Sequence, residues 1–390
     1  MKKISTPYYL IDREKLELNY VNMEREFKKY WKNFTIGYSF KTNSLPWILN
    51  FFKEQGAYAE VVSKREYDLA KRIGYGSGII YNGPIKSQET LKDALERGAI
   101  VNIDSKHEIQ WIKDNIGERM WRIGIRINFD LERSCPGESV MGEQGGRFGL
   151  NYENGEFIKA MEMLRDIPRI KVVGMHLHNS SKTRSPNIYR AISQMATELK
   201  KYFEKDLEYI DIGGGFFGDG KSETYEKYAR EISNILKKEY DDKKIQLIIE
   251  PGASLVATPI SFISTVVDTK EIKGHRVVTI DGSCNNINPL MKEKRYRYNI
   301  ERREEMREAI KRQIVAGYTC MENDILLDLE KEKELCVGDR IEFLDVGSYT
   351  MTLSPLFIEY FPQVMVRDGE DYFCVREEWG VEEFIQKSNF

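Results

Sequence analysis

Apolar runs recur at a regular interval along the first 250 residues of the chain. Five strand-like runs begin 21 or 22 residues apart, and three more follow at longer intervals. The eight runs begin near Ile36, Ala57, Gly78, Ala99, Trp121, Ile170, Leu207 and Ile245. Seven stretches between them have apolar residues at helical spacing. Strands that alternate with helices predict a parallel sheet, and eight such units predict a closed (β/α)8 TIM-type barrel, with an open doubly wound sheet as the alternative.

The pattern changes after Pro259, where short β-rich runs replace the alternation of strands and helices. These runs cover residues 262–267, 277–281, 314–318, 340–350 and 365–375, and Asp368-Gly369 marks a hairpin turn in the last one. One charged segment, Asn299–Arg312, has a helical pattern. We therefore predict a barrel at residues 13–259 and a mostly β domain, of β-sandwich or β-barrel-like form, at residues 260–390, joined by the N-terminal strand of residues 1–12.

Composition argues against several classes of function. The 390 residues carry a net charge of −3, which gives no electrostatic basis for binding nucleic acid or an anionic membrane. No apolar run approaches the roughly 18 residues of a spanning helix, and the N-terminus has no apolar signal-peptide core. The five cysteines are scattered and the four histidines include one close pair only. We therefore predict free thiols, a cytoplasmic location and no metal site.

Residues capable of chemistry cluster where a barrel enzyme has its active site, at the carboxyl ends of the strands. The predicted strand ends carry Lys41, Glu60, Ser63, Asp104, His178, Gly213-Gly214-Gly215 and Glu250. The glycine-rich, irregular stretch of residues 129–150 is predicted to form a long loop over the barrel mouth. This grouping at one end of the predicted barrel points to an active site there.

Lys41 lies within residues 38–43 (YSFKTN), at the end of the first barrel strand. Long cations avoid strand interiors unless a partner pairs with them or reacts with them. A lysine amine that loses its proton when desolvated can form a Schiff base with a carbonyl group. The alternative is a lysine whose stem follows the strand end while its amine reaches solvent.

Three other strand-end features suit an aromatic ligand with a phosphate, and each has a plainer alternative. The glycines of residues 213–215 let backbone N–H groups approach a phosphate, although a tight turn also needs glycine. Glu250 ends an apolar strand, where it is either half of a buried salt bridge or a partner for a protonated ring nitrogen. His178 shares a strand face with His176 and is either a core histidine or a flat group that stacks on the ligand.

Two residues of the second domain carry weaker signals of function when each is taken alone. Cys320 lies in the turn-like segment 317–324, where a cysteine is commonly an inert small residue. Tyr349 follows an apolar strand, where a core or interface aromatic residue is the plain interpretation.

Seven motifs, in order, resemble those of the pyridoxal-phosphate (PLP)-dependent decarboxylases with an alanine-racemase-like barrel, the diaminopimelate and ornithine/arginine decarboxylase family. Residues 38–43 resemble the Y-A-x-K-x-N motif, residues 60–66 the D-x-x-S-x-x-E segment, and residues 174–181 the G-x-H-x-H-x-G-S segment. Further matches are residues 211–216 to the triglycine turn, 250–252 to E-P-G-R without its last position, 320–324 to the C-x-x-x-D loop and 347–350 to G-A-Y-T. Each motif alone is weak, and seven in the same order are specific.

The resemblance implies how the cofactor would be held. Lys41 would carry the internal Schiff base with PLP, His178 would stack on the pyridine ring, and Glu250 would pair with the ring nitrogen so that the ring acts as an electron sink. The remaining implied cofactor contacts are Glu60, together with Ser181, Gly214, Gly215 and Tyr349 at the phosphate.

The resemblance also implies how the reaction would finish. Cys320 would reach the active site of a partner subunit and protonate the carbanion left after CO2 departs, which requires a homodimer with shared active sites. The predicted substrate contacts are Glu322, Asp324 and Tyr349. Racemases of similar fold place an arginine at the ring nitrogen, so Glu250 favours decarboxylation.

The chain departs from the family pattern at positions that bind substrate. Ala253 replaces the arginine of E-P-G-R, residues 287–291 lack the arginine and tyrosine of R-P-x-L-Y, and Met321 stands where the family has an acid. Asn179 and Ser180 also replace an apolar residue and a glycine. The hypothesis is PLP-dependent decarboxylation of an amino acid or amino-acid derivative, conjugated or carrier-linked, in a specialised biosynthetic pathway. The alternatives are a PLP-dependent racemase or epimerase, diaminopimelate decarboxylation proper, a non-catalytic PLP carrier and a barrel enzyme without PLP.

Overall fold

The computed structural model describes residues 4–203, 206–292 and 295–389. The chain divides into two compact units, one of Asn19–Ser254 and one of Met1–Leu18 with Leu255–Phe390. Its first elements are strand β1 (Tyr8–Asp12), as the sequence predicts, and helix α1 (Arg13–Tyr30). The predicted domain limits, with the barrel at residues 13–259, stay a prediction.

The first unit contains a closed barrel of eight parallel strands, and all eight were predicted from the spacing of the apolar runs. Each strand pairs with the next along the chain, and the last pairs with the first. The strands are β2 (Phe34–Ser39), β3 (Tyr58–Val61), β4 (Ile79–Tyr81), β5 (Ile100–Ile103), β6 (Trp121–Asn128), β8 (Ile170–His176), β9 (Tyr209–Asp211) and β10 (Gln246–Ile249), with a two-residue strand β7 (Leu150–Asn151) beside the end of β6.

Helices connect the barrel strands, and serine N-caps start several of them. Ser63, Ser87 and Ser105 each accept a hydrogen bond from the backbone N–H three residues ahead, which satisfies one of the free donors of the first helical turn. The helices are α2 (Pro46–Glu54), α3 (Lys64–Ile73), α4 (Gln88–Glu96), α5 (Lys106–Asn115), α6 (Leu131–Ser134), α7 (Glu156–Arg165), α8 (Pro186–Leu199), α9 (Ser222–Leu236) and α10 (Ala253–Val256), with 3-10 turns at Gly142–Gln144 and Lys200–Tyr202.

The barrel interior is filled around Tyr209, which packs with Ile80, Val173 and Ile248. Glycines in two neighbouring strands make room for its ring. A Cβ at Gly124 would lie 1.9 Å from the Tyr209 hydroxyl oxygen, and a Cβ at Gly174 would lie 1.9 Å from its Cζ. A tyrosine therefore lies flat against the barrel wall, with its hydroxyl buried in the interior.

The second unit is organised around one nine-stranded sheet, in which β1 lies between two strands from the C-terminal part of the chain. It pairs with β11 in antiparallel fashion and with β17 in parallel fashion. The N-terminal strand thus joins the β domain, as predicted. The other elements are β11 (Ile260–Ile272), β12 (His275–Ile280), β13 (Tyr298–Glu301), β14 (Ala309–Ala316), β15 (Ile325–Lys333), β16 (Arg340–Phe343), β17 (Gln363–Asp368), β18 (Asp371–Arg376), α11 (Cys284–Ile287) and α12 (Val381–Ile385).

The predicted helix at Asn299–Arg312 is wrong. That segment contributes to β13 and β14, and β15, which pairs with β14, was not predicted. Its charged residues favour a helix by local propensity, but here they face solvent along paired strands. Arg312, for example, forms a 2.7 Å ion pair with Asp328 across the β14–β15 ladder. The predicted hairpin at Asp368-Gly369 is confirmed by the pairing of β17 with β18.

Two further observations concern the cysteines and the helices. All five cysteines are free. Among the described residues, every helix is too short or too polar to cross a membrane. A cytoplasmic location stays a prediction that rests on the sequence.

We predict that Gly174→Ala destabilises the barrel, because the added methyl group would overlap the Tyr209 ring. Overpacking of a close-packed interior typically costs about 1–3 kcal/mol of unfolding free energy. Urea unfolding followed by circular dichroism measures the change. Gly117→Ala is the matched control, since a Cβ there meets nothing within 4 Å. Equal stability of the two variants would show that the space beside Tyr209 is not limiting.

Candidate active site

The turn that carries Lys41 is fixed by its neighbours on both sides. The Ser39 N–H donates to the Pro251 carbonyl over 3.1 Å, and the Phe40 N–H donates to the Glu60 carbonyl over 3.0 Å. These bonds continue the strand pairing of β2 past its end. They bring the segment after β10, which follows Glu250, next to the segment that carries Lys41.

Lys41 is half-buried and faces Glu60, a carboxylate at the end of β3. Its Nζ donates to Glu60 Oε2 over 2.6 Å, while the Ser39 hydroxyl donates to the same oxygen over 2.5 Å. The Glu60 side chain is only 1% exposed. A buried carboxylate needs such donors, because an unpaired charge away from water is costly. Lys41 is therefore held at the barrel rim by a partner that cannot turn towards solvent.

A buried hydrogen-bond chain connects Glu60 with Glu250. The side-chain amide of Asn82 donates to Glu60 Oε1 over 3.1 Å and to Glu250 Oε1 over 2.5 Å. Glu250 is 5% exposed and Asn82 is 2% exposed. Lys41 and Glu250, which the sequence predicts to share a site, are therefore brought together by the strand ends of β2, β3, β4 and β10.

Two more titratable groups surround Glu250. His176 Nε2 lies 3.3 Å from Glu250 Oε2, and Asp211 is completely buried at the end of β9. Burial, and then the charge of Glu250, raise the pKa of Asp211 well above its usual value, which favours its protonated form. Burial opposes the charge on Glu250 as well, but the charges of His176 and Lys41 outweigh it and hold the pKa of Glu250 below its usual value. Glu250 is thus the ionised member of the pair.

The donor atoms of His176, Asp211 and Glu250 lie within 4.8 Å of one another, which is close enough to share a cation. The charge balance described above already compensates the anionic Glu250 without one. The absence of a metal site therefore stays a prediction from the sequence.

His178 follows β8, with its ring nearly parallel to that of His176 at an interplanar angle of 12°. The Gly214 N–H donates to His178 Nδ1 over 3.1 Å, so Nδ1 is an acceptor and carries no proton. Desolvation, followed by the charge of Arg126, lowers the pKa of His178 to about 3. The imidazole is consequently neutral and oriented by the glycine turn, as a stacking group requires.

The glycine turn itself forms a tight cradle. A Cβ at Gly214 would lie 2.1 Å from the Glu250 carbonyl oxygen, so only glycine fits there. Gly215 has a φ of 88°, a left-handed conformation that also favours glycine, and Tyr189 supports the turn by donating to the Gly214 carbonyl over 3.1 Å. Ser181 lies in the loop after β8, where its hydroxyl accepts from the Arg184 N–H over 3.2 Å.

The other predicted site residues belong to the second unit. Cys320 is exposed, and Glu322 is exposed in the same loop. Asp324 is 2% exposed and accepts hydrogen bonds from the Cys284 N–H and the Thr319 hydroxyl, over 2.8 Å and 2.7 Å. These bonds indicate that Asp324 shapes the loop that presents Cys320. Tyr349 is 42% exposed, and its predicted contacts with phosphate and substrate stay predictions, as do those of Glu322 and Asp324.

Sequence reasoning missed two polar residues of the barrel rim. Asn82 directly follows β4, so the strand-end rule that selected Glu60 and Glu250 would also have selected it. Arg126 is 8% exposed near the end of β6, pairs with Asp104 at 3.3 Å and donates to the His178 carbonyl over 3.4 Å. A buried arginine in an apolar strand was the signal for it.

The irregular stretch of residues 129–150 lines a cavity of about 220 Å³ together with His178. Arg126, Asn128 and Asn179 contribute polar groups to the same cavity. The stretch is tied to the loop of Ser181, because the Val140 N–H donates to the Ser180 carbonyl over 3.1 Å. The predicted loop therefore forms one wall of a hollow beside the candidate stacking histidine.

Comparison with known protein families decides the class of this site. Residues 16–257 match the model described as pyridoxal-dependent decarboxylase, pyridoxal binding domain. Residues 258–347 match the pyridoxal-dependent decarboxylase, C-terminal sheet domain. The chain belongs to the pyridoxal-dependent decarboxylases. The resemblance predicted from the motifs is thereby confirmed, and so are PLP as cofactor and a carboxy-lyase as the class of enzyme.

Named relatives of this decarboxylase cover nearly its whole length. The diaminopimelate decarboxylase of Methanocaldococcus jannaschii is 28% identical over 99% of this chain and 92% of its own. Its crystal structure, 26% identical, covers 100% of this chain and 93% of that one with a TM-score of 0.88. A decarboxylase of the L-glutamyl-BtrI acyl-carrier protein from Niallia circulans is 24% identical over 98% of this chain and 94% of its own.

The residues of this decarboxylase fit PLP at three points. The turn of Gly213, Gly214 and Gly215 has no side chains that could block a phosphate, the neutral ring of His178 can stack on a pyridine ring, and the ionised Glu250 can face a protonated ring nitrogen. Lys41 offers an amine on the same rim. The set thus matches a flat, anionic aldehyde cofactor in shape and in charge.

We predict that His178 stays neutral throughout the pH range 5–8, since its pKa of about 3 lies below that range. The side-chain nitrogen signals of ¹⁵N-histidine-labelled protein would show this, with His178→Gln identifying the signal. In denaturant the same ring should titrate near the ordinary value of about 6.5. A midpoint above 5 in the folded protein would contradict the proposed effect of Arg126 and burial.

Proposed function

We propose that this enzyme decarboxylates a derivatised amino acid, conjugated or carrier-linked, in a specialised biosynthetic pathway. Lys41 holds the cofactor covalently, and Cys320 of a partner subunit delivers the final proton. The observation that carries the proposal is the buried, ionised Glu250, joined through Asn82 and Glu60 to the amine of Lys41. Bound PLP supplies an electron sink for the pair of electrons left at Cα when CO2 departs.

Glu250 determines how strong that sink is. An anion opposite the ring nitrogen keeps the nitrogen protonated, whereas a cation there would favour the unprotonated ring. The buried position of Glu250 strengthens this effect, because few water molecules screen its charge. Glu250 therefore favours decarboxylation over racemisation. Exchange of the substrate α-proton without release of CO2 would instead favour the racemase alternative.

Cys320 is a suitable proton donor by its setting. Its thiol is exposed at the tip of a loop, and Asp324 and Thr319 hold that loop by hydrogen bonds. A thiol placed above Cα can return a proton there after CO2 has left, which sets the stereochemistry of the product. The proposal requires a homodimer in which each subunit lends Cys320 to the other.

The proposed substrate class rests on two charged side chains that the family has and this chain lacks. Ala253 offers no charge where the family uses an arginine to hold a distal carboxylate, and Met321 offers none for a distal amine. An uncharged or masked distal group fits this environment better than a free ion. The Niallia circulans relative, whose name states an acyl-carrier-protein substrate, supports this class.

Diaminopimelate decarboxylation is the second candidate. It is favoured by the diaminopimelate decarboxylase of Methanocaldococcus jannaschii, which matches this chain over 99% of its length. A single assay separates the two candidates: CO2 release from free meso-diaminopimelate, compared with release from carrier-linked and acylated amino acids. We expect turnover of a linked substrate and little from the free diacid. Brisk turnover of free meso-diaminopimelate would refute the specialised function.

We predict that Lys41→Ala abolishes the visible absorbance of the lysine-bound cofactor, at roughly 410–430 nm, because no amine remains to bind it covalently. Glu250→Gln should keep the band but lower kcat by at least about a hundredfold, since the ring nitrogen loses its anionic partner. Lys64→Ala, a lysine on the exposed surface of α3, is the control and should retain both band and rate. An unchanged band in Lys41→Ala would remove Lys41 from the site.

We predict that two inactive variants restore activity when mixed. Lys41→Ala and Cys320→Ala each lack one half of a shared site, so a mixed dimer contains one intact site. Random exchange of subunits would then restore about a quarter of the wild-type rate. Size-exclusion chromatography with light scattering checks the dimer. If the mixture stays inactive although subunits exchange, both halves of the site come from one subunit.

A further inference from the structure

A line of three neutral side chains leads from the barrel interior to the two buried carboxylates. The Tyr209 hydroxyl donates to Asn102 Oδ1 over 2.7 Å, and the Asn102 amide donates to Asn82 Oδ1 over 2.8 Å. Asn82 then donates both of its amide hydrogens, one to Glu60 and one to Glu250. Tyr209, Asn102 and Asn82 are each at most 4% exposed. We call these three residues the amide relay.

The two acids at the end of the relay determine which group donates each of its hydrogen bonds. An ionised carboxylate can only accept hydrogen bonds, so Asn82 must turn its NH2 group towards Glu60 and Glu250. The Asn82 oxygen then faces Asn102, which must donate to it, and the Asn102 oxygen in turn requires a donor. The Tyr209 hydroxyl is that donor. Each amide therefore has one allowed orientation.

We propose that the amide relay is a positioning device that keeps Glu60 and Glu250 ionised together at the barrel rim. This inference deepens the proposed function and rests on it. Two carboxylates that share a buried site normally cannot both stay ionised, because each charge repels the other. A neutral donor between them stabilises both anions and does not titrate itself. One carboxylate then remains for Lys41 and the other for the ring nitrogen.

The barrel wall is shaped to admit this relay. Gly124 and Gly174 leave space for the Tyr209 ring and hydroxyl, since a Cβ at either position would lie 1.9 Å from an atom of that side chain. This space lets the Tyr209 hydroxyl reach Asn102, and through Asn102 and Asn82 it acts on the two carboxylates.

The test uses the holoenzyme reconstituted with PLP, and its readout is the visible spectrum as a function of pH. We expect the wild-type spectrum to be constant between pH 5.5 and 8. In Asn82→Asp a further acid joins Glu60, Glu250 and Asp211, an additional proton is taken up, and a spectral transition should enter this range, displaced upward by about one pH unit or more. Difference infrared spectroscopy should show the added protonated carboxyl group.

Tyr209→Phe is the more specific variant, because it removes a single oxygen atom and leaves the two carboxylates and Asn82 unchanged. We expect a displacement of the same sign and smaller size. Tyr240→Phe is the matched control, since the buried Tyr240 hydroxyl donates to the Ala196 carbonyl outside the relay, and its titration should equal that of the wild type. Thermal melts establish that each variant is folded. If Asn82→Asp does not fold, Tyr209→Phe alone decides.

Three outcomes would overturn the inference: a wild-type titration in Tyr209→Phe, a wild-type titration in a folded Asn82→Asp, or an equal displacement in Tyr240→Phe. These results differ from a failure of the proposed function. In that case the wild-type protein itself would show no cofactor band or no release of CO2 from any amino-acid substrate.

Discussion

The pairing of β2 with β10 is the contact on which the active site depends. It closes the barrel, and it joins the first and last of the eight barrel strands side by side. The hydrogen bond from Ser39 to Pro251 extends that pairing into the loops that carry Lys41 and Glu250. An open sheet with the same strands would leave these two residues at opposite edges. Chemistry that needs both is therefore possible only after closure.

Closure of the barrel also brings several acidic side chains together, and neighbouring groups compensate their charges. Glu60, Glu250 and Asp211 lie under one rim with Lys41 as the nearby lysine. Burial favours the protonated form of Asp211, Glu60 is compensated by Lys41, and Glu250 is stabilised by Asn82 and His176. The rim thus gives three chemically similar acids different environments through burial, hydrogen bonds and neighbouring charges.

The spacing of apolar runs was sufficient to predict the barrel, because each βα unit must bury a strand and one helix face. It failed at Asn299–Arg312, where pairing with neighbouring strands overrides the helical propensity of charged residues. The candidate site was predictable where a residue has unusual chemistry for its place, as with Lys41 or Glu250. Asn82 directly follows β4, so its position was a usable signal, but its role depends on partners from other strands that the sequence does not identify. The proposal that a partner subunit supplies Cys320 likewise rests on the resemblance to the family and not on a local pattern.

The position of β1 has a consequence for how the protein is made. This strand is synthesised before the barrel, but its two neighbours in the sheet, β11 and β17, are synthesised only after the whole barrel. Both of its backbone edges therefore stay unpaired throughout most of translation. An unpaired strand of this kind invites association with other nascent chains. Slow synthesis, or close spacing of ribosomes on one messenger RNA, should accordingly lower the yield of native protein, because nascent chains associate through this strand.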